Sequence, residues 1–261
     1  MSQATATYVY CIVQSPGAPD LTGVPEGLPG TSSPRVLPLA PSLPENLWLV
    51  AADAPLPDYS GESIDAHLPD LDWVGDRALA HERVVEHFAA SWPILPLKLF
   101  TLFSSDERAA QALRERQEDI GRVLARIAGR VEWGVRILFQ ETKARKAEPR
   151  EPPPATGKGF LLRKKEEKDS ARGLAGRARA AVDQAYEDLA CRSVAARRHQ
   201  PEVGEGGARL LLDAAFLVPK GDGDGFEAAV QQWADRLAEH ACDLNLTGPW
   251  PPYNFIEEPP E

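Results

Sequence analysis

The run VEWGVRILFQ (Val131–Gln140) sets Val131, Trp133, Val135, Ile137 and Phe139 on alternate positions. Successive strand side chains point to opposite faces, so this spacing predicts a strand with one buried face. Such a strand needs partners beside it and a layer over its apolar side. The residues that follow predict both. From Phe160 to Arg192, Leu174, Ala178, Ala181, Val182, Ala185, Tyr186 and Leu189 align at helical spacing. VAARRHQ, a Gly-rich PEVGEGG turn and ARLLLDAAFLVP read as a hairpin. GDGDG then reads as a flexible turn before a helix carrying Phe226, Val230, Trp233 and Leu237, and ACDLNLTG is a last short strand.

The order from Val131 to Leu246 is therefore β-α-β-β-α-β, the split βαβ or ferredoxin-like arrangement. The first half predicts a related scheme. TYVYCIV (Thr7–Val13) is a dense β-branched and aromatic strand, and a Pro/Gly-rich loop from Ser15 to Pro34 stands where a first helix would be. Arg35–Ala40, an edge strand because of its proline, and Asn46–Asp53 follow. Asp58–Trp73 reads as irregular with a short helical turn. Gly75–Trp92 reads as a helix with Leu79, Val84, Val85, Phe88 and Trp92 on its buried face, and Ile94–Phe103 as a strand with a break at Pro96. Ser104 and Glu107 match a capping box, opening a long helix with Leu113, Ile120, Val123, Leu124 and Ile127 as its stripe and Gly129 as its stop.

The expected fold class is α+β: two modified ferredoxin-like domains joined by a long helix, with Pro-rich loops and an aromatic C-terminal strap. Residues 1–128 make the N-terminal domain with its connecting helix, and 129–261 the C-terminal domain with its tail. Helices on one face of each sheet leave the other face open to the other domain, a helix or a partner.

Composition narrows the function. A net charge of −10 argues against nucleic acid as the main partner. Three widely spaced cysteines, Cys11, Cys191 and Cys242, form neither a disulfide framework nor a CxxC zinc site, which fits a reducing cytoplasm. The N-terminus lacks the basic and apolar regions of a signal peptide, and no apolar run approaches the ~18 residues of a membrane span.

Catalytic and metal motifs are weak. HERVVEH (His81–His87) spaces its histidines at i and i+6, on different sides of a helix, where zinc needs i and i+4. GDGDG is too short for a calcium loop, and GEGG lacks the strand-to-helix setting of a phosphate loop. Cys11 and Cys242 read as packed thiols. The basic stretch around Arg163, Lys164 and Lys165 is either a solvated helix face or a contact for an acidic partner. LTGPWPPYNF (Leu246–Phe255) is stiffened by Pro249, Pro251 and Pro252, so Trp250, Tyr253 and Phe255 lie across a surface at low entropic cost. They form either a strap that seals a domain or an exposed aromatic ridge for a partner.

Several segments, in order and at family spacing, resemble the gas vesicle proteins GvpL/GvpF: YVYCIV, HERVVEH with ILPLKLFTLF, VEWGVRI, GFLLRKK, LLLDAAFLVP and LTGPWPPYNFI. Two departures stand out. Cys11 occupies a position that is usually glycine, and the usual Arg-Phe-Gly-Thr reads Lys98-Leu99-Phe100-Thr101. The resemblance implies two ferredoxin-like domains and a minor protein of gas vesicle formation, found in the cytoplasm and on the gas vesicle. It implies binding of the small hydrophobic shell protein GvpA, protection of GvpA from aggregation during nucleation, and contact with other accessory gas vesicle proteins. Partner contacts are expected at Trp250, Tyr253, Phe255, Arg163, Lys164 and Lys165. No catalysis and no cofactor are implied. The alternative from fold analogy is a regulatory protein that binds a small ligand.

Overall fold

The computed structural model describes residues 4–39, 47–140, 157–199 and 208–256, with backbone alone over 157–172. It is a mixed α/β structure with two antiparallel sheets, and the chain divides into two compact units. The first comprises Met1–Gly129 and Pro251–Glu261, the second Arg130–Trp250. The division departs from the expected one at the tail, which belongs with the first unit.

In the first unit β1 (Thr5–Gln14), β2 (Arg35–Pro38) and β3 (Leu47–Pro55) precede three helices, α1 (Leu56–Tyr59), α2 (Gly61–His67) and α3 (Leu71–Ala89). The short strands β4 (Ile94–Pro96) and β5 (Leu102–Phe103) and the helices α4 (Asp106–Arg114) and α5 (Gln117–Ile127) complete it. The strand order is β2-β3-β1-β4, with β5 also paired to β1. β2 lies at the edge, as its proline predicts.

β1 carries a bulge. Val9 pairs with Ala51 and Cys11 with Val50, leaving Tyr10 as the extra residue. A one-residue insertion resets the two-residue phase of a strand. Tyr8, Tyr10, Cys11 and Val13 therefore all enter one core, with Val50, Ala52, Tyr59, Val84, Val85 and Phe88. Val9, Ile12, Leu49 and Ala51, on the opposite face, are equally buried. α4 and α5 pack on β2, β4 and β5 and bury Ala109, Leu113, Ile120, Leu124 and Ile127. Of the covers expected for this face, helices supply the one seen here.

Asp58–Trp73 is helical rather than irregular. The Pro, Ser and Asp residues over 57–73 are helix starters: Pro57 sits in the first turn of α1. The Ser60 side chain accepts from Ser63 N–H at the start of α2, and that of Asp70 accepts from Asp72 and Trp73 N–H at the start of α3. The cap expected at Ser104 falls on Ser105, whose extended backbone lets its hydroxyl accept from Arg108 N–H. The long connecting helix is two helices. At the break Arg116 leaves helical geometry (φ −111°, ψ 13°), and its N–H bonds the Leu113 carbonyl in a tightened last turn. Ile94–Phe103 is likewise two short strands, separated by a turn.

The second unit runs β6 (Arg130–Gln140), α6 (Gly157–Cys191), β7 (Ala195–Arg198), β8 (Ala208–Pro219), α7 (Gly223–Ala238) and β9 (Cys242–Trp250). The sheet order is β7-β8-β6-β9. The expected Pro-rich loop lies outside the described residues over 141–156, as does the Gly-rich turn over 200–207. GDGDG is structured, a 3-10 turn leading into the first residues of α7. The alternation that predicts β6 is present: Trp133, Val135, Ile137 and Phe139 face α6 and α7, where Ala178, Val182, Leu189, Phe226, Val230 and Leu237 complete the core. On the other face Arg136 Nε donates to Asp213 Oδ2 at 3.0 Å, and Asn245 and Thr247 are exposed.

Candidate functional site

The tail begins at a position only glycine fills. Gly248 has φ +117°, and a Cβ there would lie 2.7 Å from the Glu132 carbonyl oxygen. Beyond it Trp250 ends β9 with 40% of its surface exposed. From Pro251 the chain enters the first unit. Tyr253 packs against that core and its hydroxyl donates to Glu82 Oε2 at 2.6 Å. Burial, reinforced by the Glu82 carboxylate, pushes the Tyr253 phenol far above its ordinary range, which keeps the proton on the donor. Phe255 is buried, and its carbonyl accepts from the Arg126 guanidinium near the end of α5. Tyr253 and Phe255 are thus packed residues of the first unit, and Trp250 is the exposed aromatic of the three.

Beneath the tail, α3 carries a polar group into the core. His81 Nε2 lies 3.1 Å from the Leu97 carbonyl oxygen, so that nitrogen carries the proton. Nδ1 then accepts from the Tyr8 hydroxyl at 2.6 Å, and Tyr8 Oη in turn receives Phe100 N–H at 3.4 Å. Burial lowers the His81 pKa to about 4. His81 is committed to this network, whereas His87 lies edge-on to Phe88. Phe100 has φ +65°, so the turn expected of a glycine is kept with phenylalanine in it. Its ring packs 5.6 Å from that of Trp73.

The outer side of the same helical region carries exposed leucines. Leu71 is 82% exposed, Leu79 59% and Leu68 49%. Leu79 and Trp92 were expected on the buried face with Phe88, and both are exposed. The reason for Leu79 is angular: nine residues at ~100° each place it about half a turn from Phe88. The face that α3 does bury carries His81, Val84, Val85 and Phe88. Leu71, Gly75 and Leu79 follow one another at i, i+4 and i+8, a second stripe visible in the sequence once the first is drawn through His81. Asp65, Asp70, Asp72 and Asp76 surround it in the chain. Arg163, Lys164 and Lys165 fall within α6 of the second unit, and their side chains lie outside the described residues. Among the described residues no helix is long and apolar enough to cross a membrane.

Residues 6–257 match the family model described as gas vesicle synthesis protein GvpL/GvpF. Gas vesicle protein L of Streptomyces sp. (strain CB03234) is 31% identical over 269 residues, covering 98% of this chain and 94% of that protein. Gas vesicle protein F of the same strain is 26% identical, covering 97% of this chain and all of that protein. Among solved structures, GvpF from Anabaena sp. PCC7120 superposes with a TM-score of 0.69 at 17% identity, covering 98% of this chain and 97% of that one. GvpF from Microcystis aeruginosa gives 0.67 at 14% identity, with 97% and 99% covered. The chain belongs to the GvpL/GvpF family of gas vesicle synthesis proteins.

Proposed function

We propose that this chain is a minor gas vesicle protein that binds the hydrophobic shell protein GvpA and keeps it from aggregating while a vesicle is nucleated. The observation that carries the reading is the exposure of Leu68, between α2 and α3, and of Leu71 and Leu79 on α3. Large exposed leucines close in the chain offer an apolar contact to a hydrophobic partner. The net charge of −10 keeps the bound complex soluble by repulsion. Trp250 and the basic residues Arg163, Lys164 and Lys165 serve as further contacts, to GvpA or to other accessory gas vesicle proteins, and the protein acts in the cytoplasm and on the vesicle. Tyr253 and Phe255 support the binding surface from within rather than touching the partner.

The same reading takes the two units as modified ferredoxin-like domains. The β-α-β-β-α-β order of the second unit and its β7-β8-β6-β9 sheet support this. In the first unit the loop from Ser15 to Pro34 takes the place of the first helix.

The test is light scattering of purified GvpA on dilution from denaturant. Equimolar protein delays aggregation, and the double substitution Leu71→Asp with Leu79→Asp removes the delay while leaving the circular dichroism spectrum intact. Equal aggregation rates with and without the wild-type chain would falsify the reading.

A further inference from the structure

Among the described residues the second unit has an unpaired sheet edge that opens beside a groove. β9 is the terminal strand of the order β7-β8-β6-β9. Gln140 N–H donates to the Ala241 carbonyl at 2.8 Å. With the register Leu138↔Asp243, Arg136↔Asn245 and Gly134↔Thr247, this bond fixes which residues of β9 bond to β6. Asp243, Asn245 and Thr247 face β6, and the backbone N–H and C=O of Leu244 and Leu246 turn off the edge. Among the described residues no hydrogen bond from outside the ladder reaches them.

Edge strands are usually blunted by lysine, proline or a bulge. Between Cys242 and Thr247 β9 has neither lysine nor proline, and its pairing with β6 is regular there. The Leu244 and Leu246 side chains line an open groove of about 560 Å³ against α7, with Val230 and Ala234 opposite. Asp224 and Glu227, both exposed, add carboxylates to its wall.

We infer that β9 and α7 form a docking site for an extended segment of another protein, which adds to the sheet as a fifth strand. Leu244 and Leu246 supply its backbone hydrogen bonds, and alternate apolar side chains of the segment enter the groove. The two carboxylates select a segment with lysine or arginine beside its apolar residues. The same charge, with Asp243 beside it, disfavours pairing with β9 of a second copy. None of Leu68, Leu71 and Leu79 takes part, so this site and the GvpA-binding face fail or stand separately.

The probe is a short fluorescein-labelled peptide alternating valine and threonine between terminal lysines, added to the full chain and followed by anisotropy. Saturable binding is expected. Methylating alternate peptide amides, or the substitution Leu246→Pro, weakens it by about tenfold through lost backbone hydrogen bonds. Proline is compatible with this position because the Leu246 N–H faces away from the ladder. Should L246P fail to fold, the double substitution Asp224→Lys with Glu227→Lys leaves the ladder untouched and is expected to weaken binding about tenfold and reverse the sign of its salt dependence. Absence of binding to the folded wild-type chain, or binding indifferent to both amide methylation and the charge reversal, overturns the assignment.

Discussion

Phe100 occupies left-handed backbone, φ +65°, where glycine is the unstrained choice. Its ring offsets the strain by packing on Trp73 and on the core of the first unit. Removing the ring therefore separates two effects. Phe100→Gly is expected to be more stable than Phe100→Ala by about 1 kcal/mol, although alanine is larger, because only the second keeps a Cβ in left-handed geometry. Urea denaturation of both variants measures the difference, and an alanine variant equal to glycine would contradict the strain. The sequence shows the departure from Arg-Phe-Gly-Thr but not its outcome, since the compensating ring lies 27 residues away in the chain, on α3.

His81 makes a pH prediction at the same scale. Its ring is neutral in the fold, with a pKa lowered by burial from 6.5 to about 4. Between those values the unfolded chain binds a proton that the folded chain does not. The stability is thus fully present above pH 6.5 and is lost as pH falls toward 4, by about 3 kcal/mol in total. Melting temperatures across this window should drop, and His81→Phe should flatten the slope whatever it does to stability at pH 7. The sequence places His81 beside Val84 and Val85 on a helix; the Tyr8 hydroxyl that donates to its ring comes from β1 and could not be read from spacing.

At the scale of elements, α3 shows what periodicity resolves and what it leaves ambiguous. Val84, Val85 and Phe88 are legible as core because their spacing fits one face, and all three are buried. Leu79 is apolar as well, but stands on the opposite side. Phe88→Ala should cost about 3–5 kcal/mol through loss of a buried ring, and Leu79→Ala should stay within about 0.5 kcal/mol. Chemical denaturation of the pair tests the assignment of faces, and a large loss at Leu79 would refute it. Strands were legible wherever alternation or β-branched density marked them, as in β1, β6 and β8. The helices over 56–73 were not, because Pro, Ser and Asp serve both loops and helix starts, and only the hydrogen bonds they make distinguish the two.

For the whole molecule, the tail alters which residues make up each unit. Pro251 onward contributes Tyr253 and Phe255 to the first unit, through Glu82 and Arg126. The aromatic and proline content of LTGPWPPYNF marks a rigid segment, but a contact across such a distance in sequence leaves no local pattern. Deleting the residues from Pro251 onward is expected to destabilise the first unit by about 3 kcal/mol, from exposure of Phe255 and Tyr253 together. Hydrogen exchange should report the loss at α3 and β1 while β6 and β8 keep their protection. Unchanged exchange at α3 would mean that the strap contributes nothing to that core.

The interrupted first unit also sets an order of events during synthesis. Met1–Gly129 is synthesised before Arg130–Trp250, and Pro251–Ile256 only after both. At ordinary elongation rates that interval is on the order of ten seconds. Throughout it the nascent first unit lacks the aromatic residues that complete its core, and its surface near Glu82 stands uncovered. A chain that stalls in the second unit never receives them, and its first unit keeps the lower stability of the form without the tail.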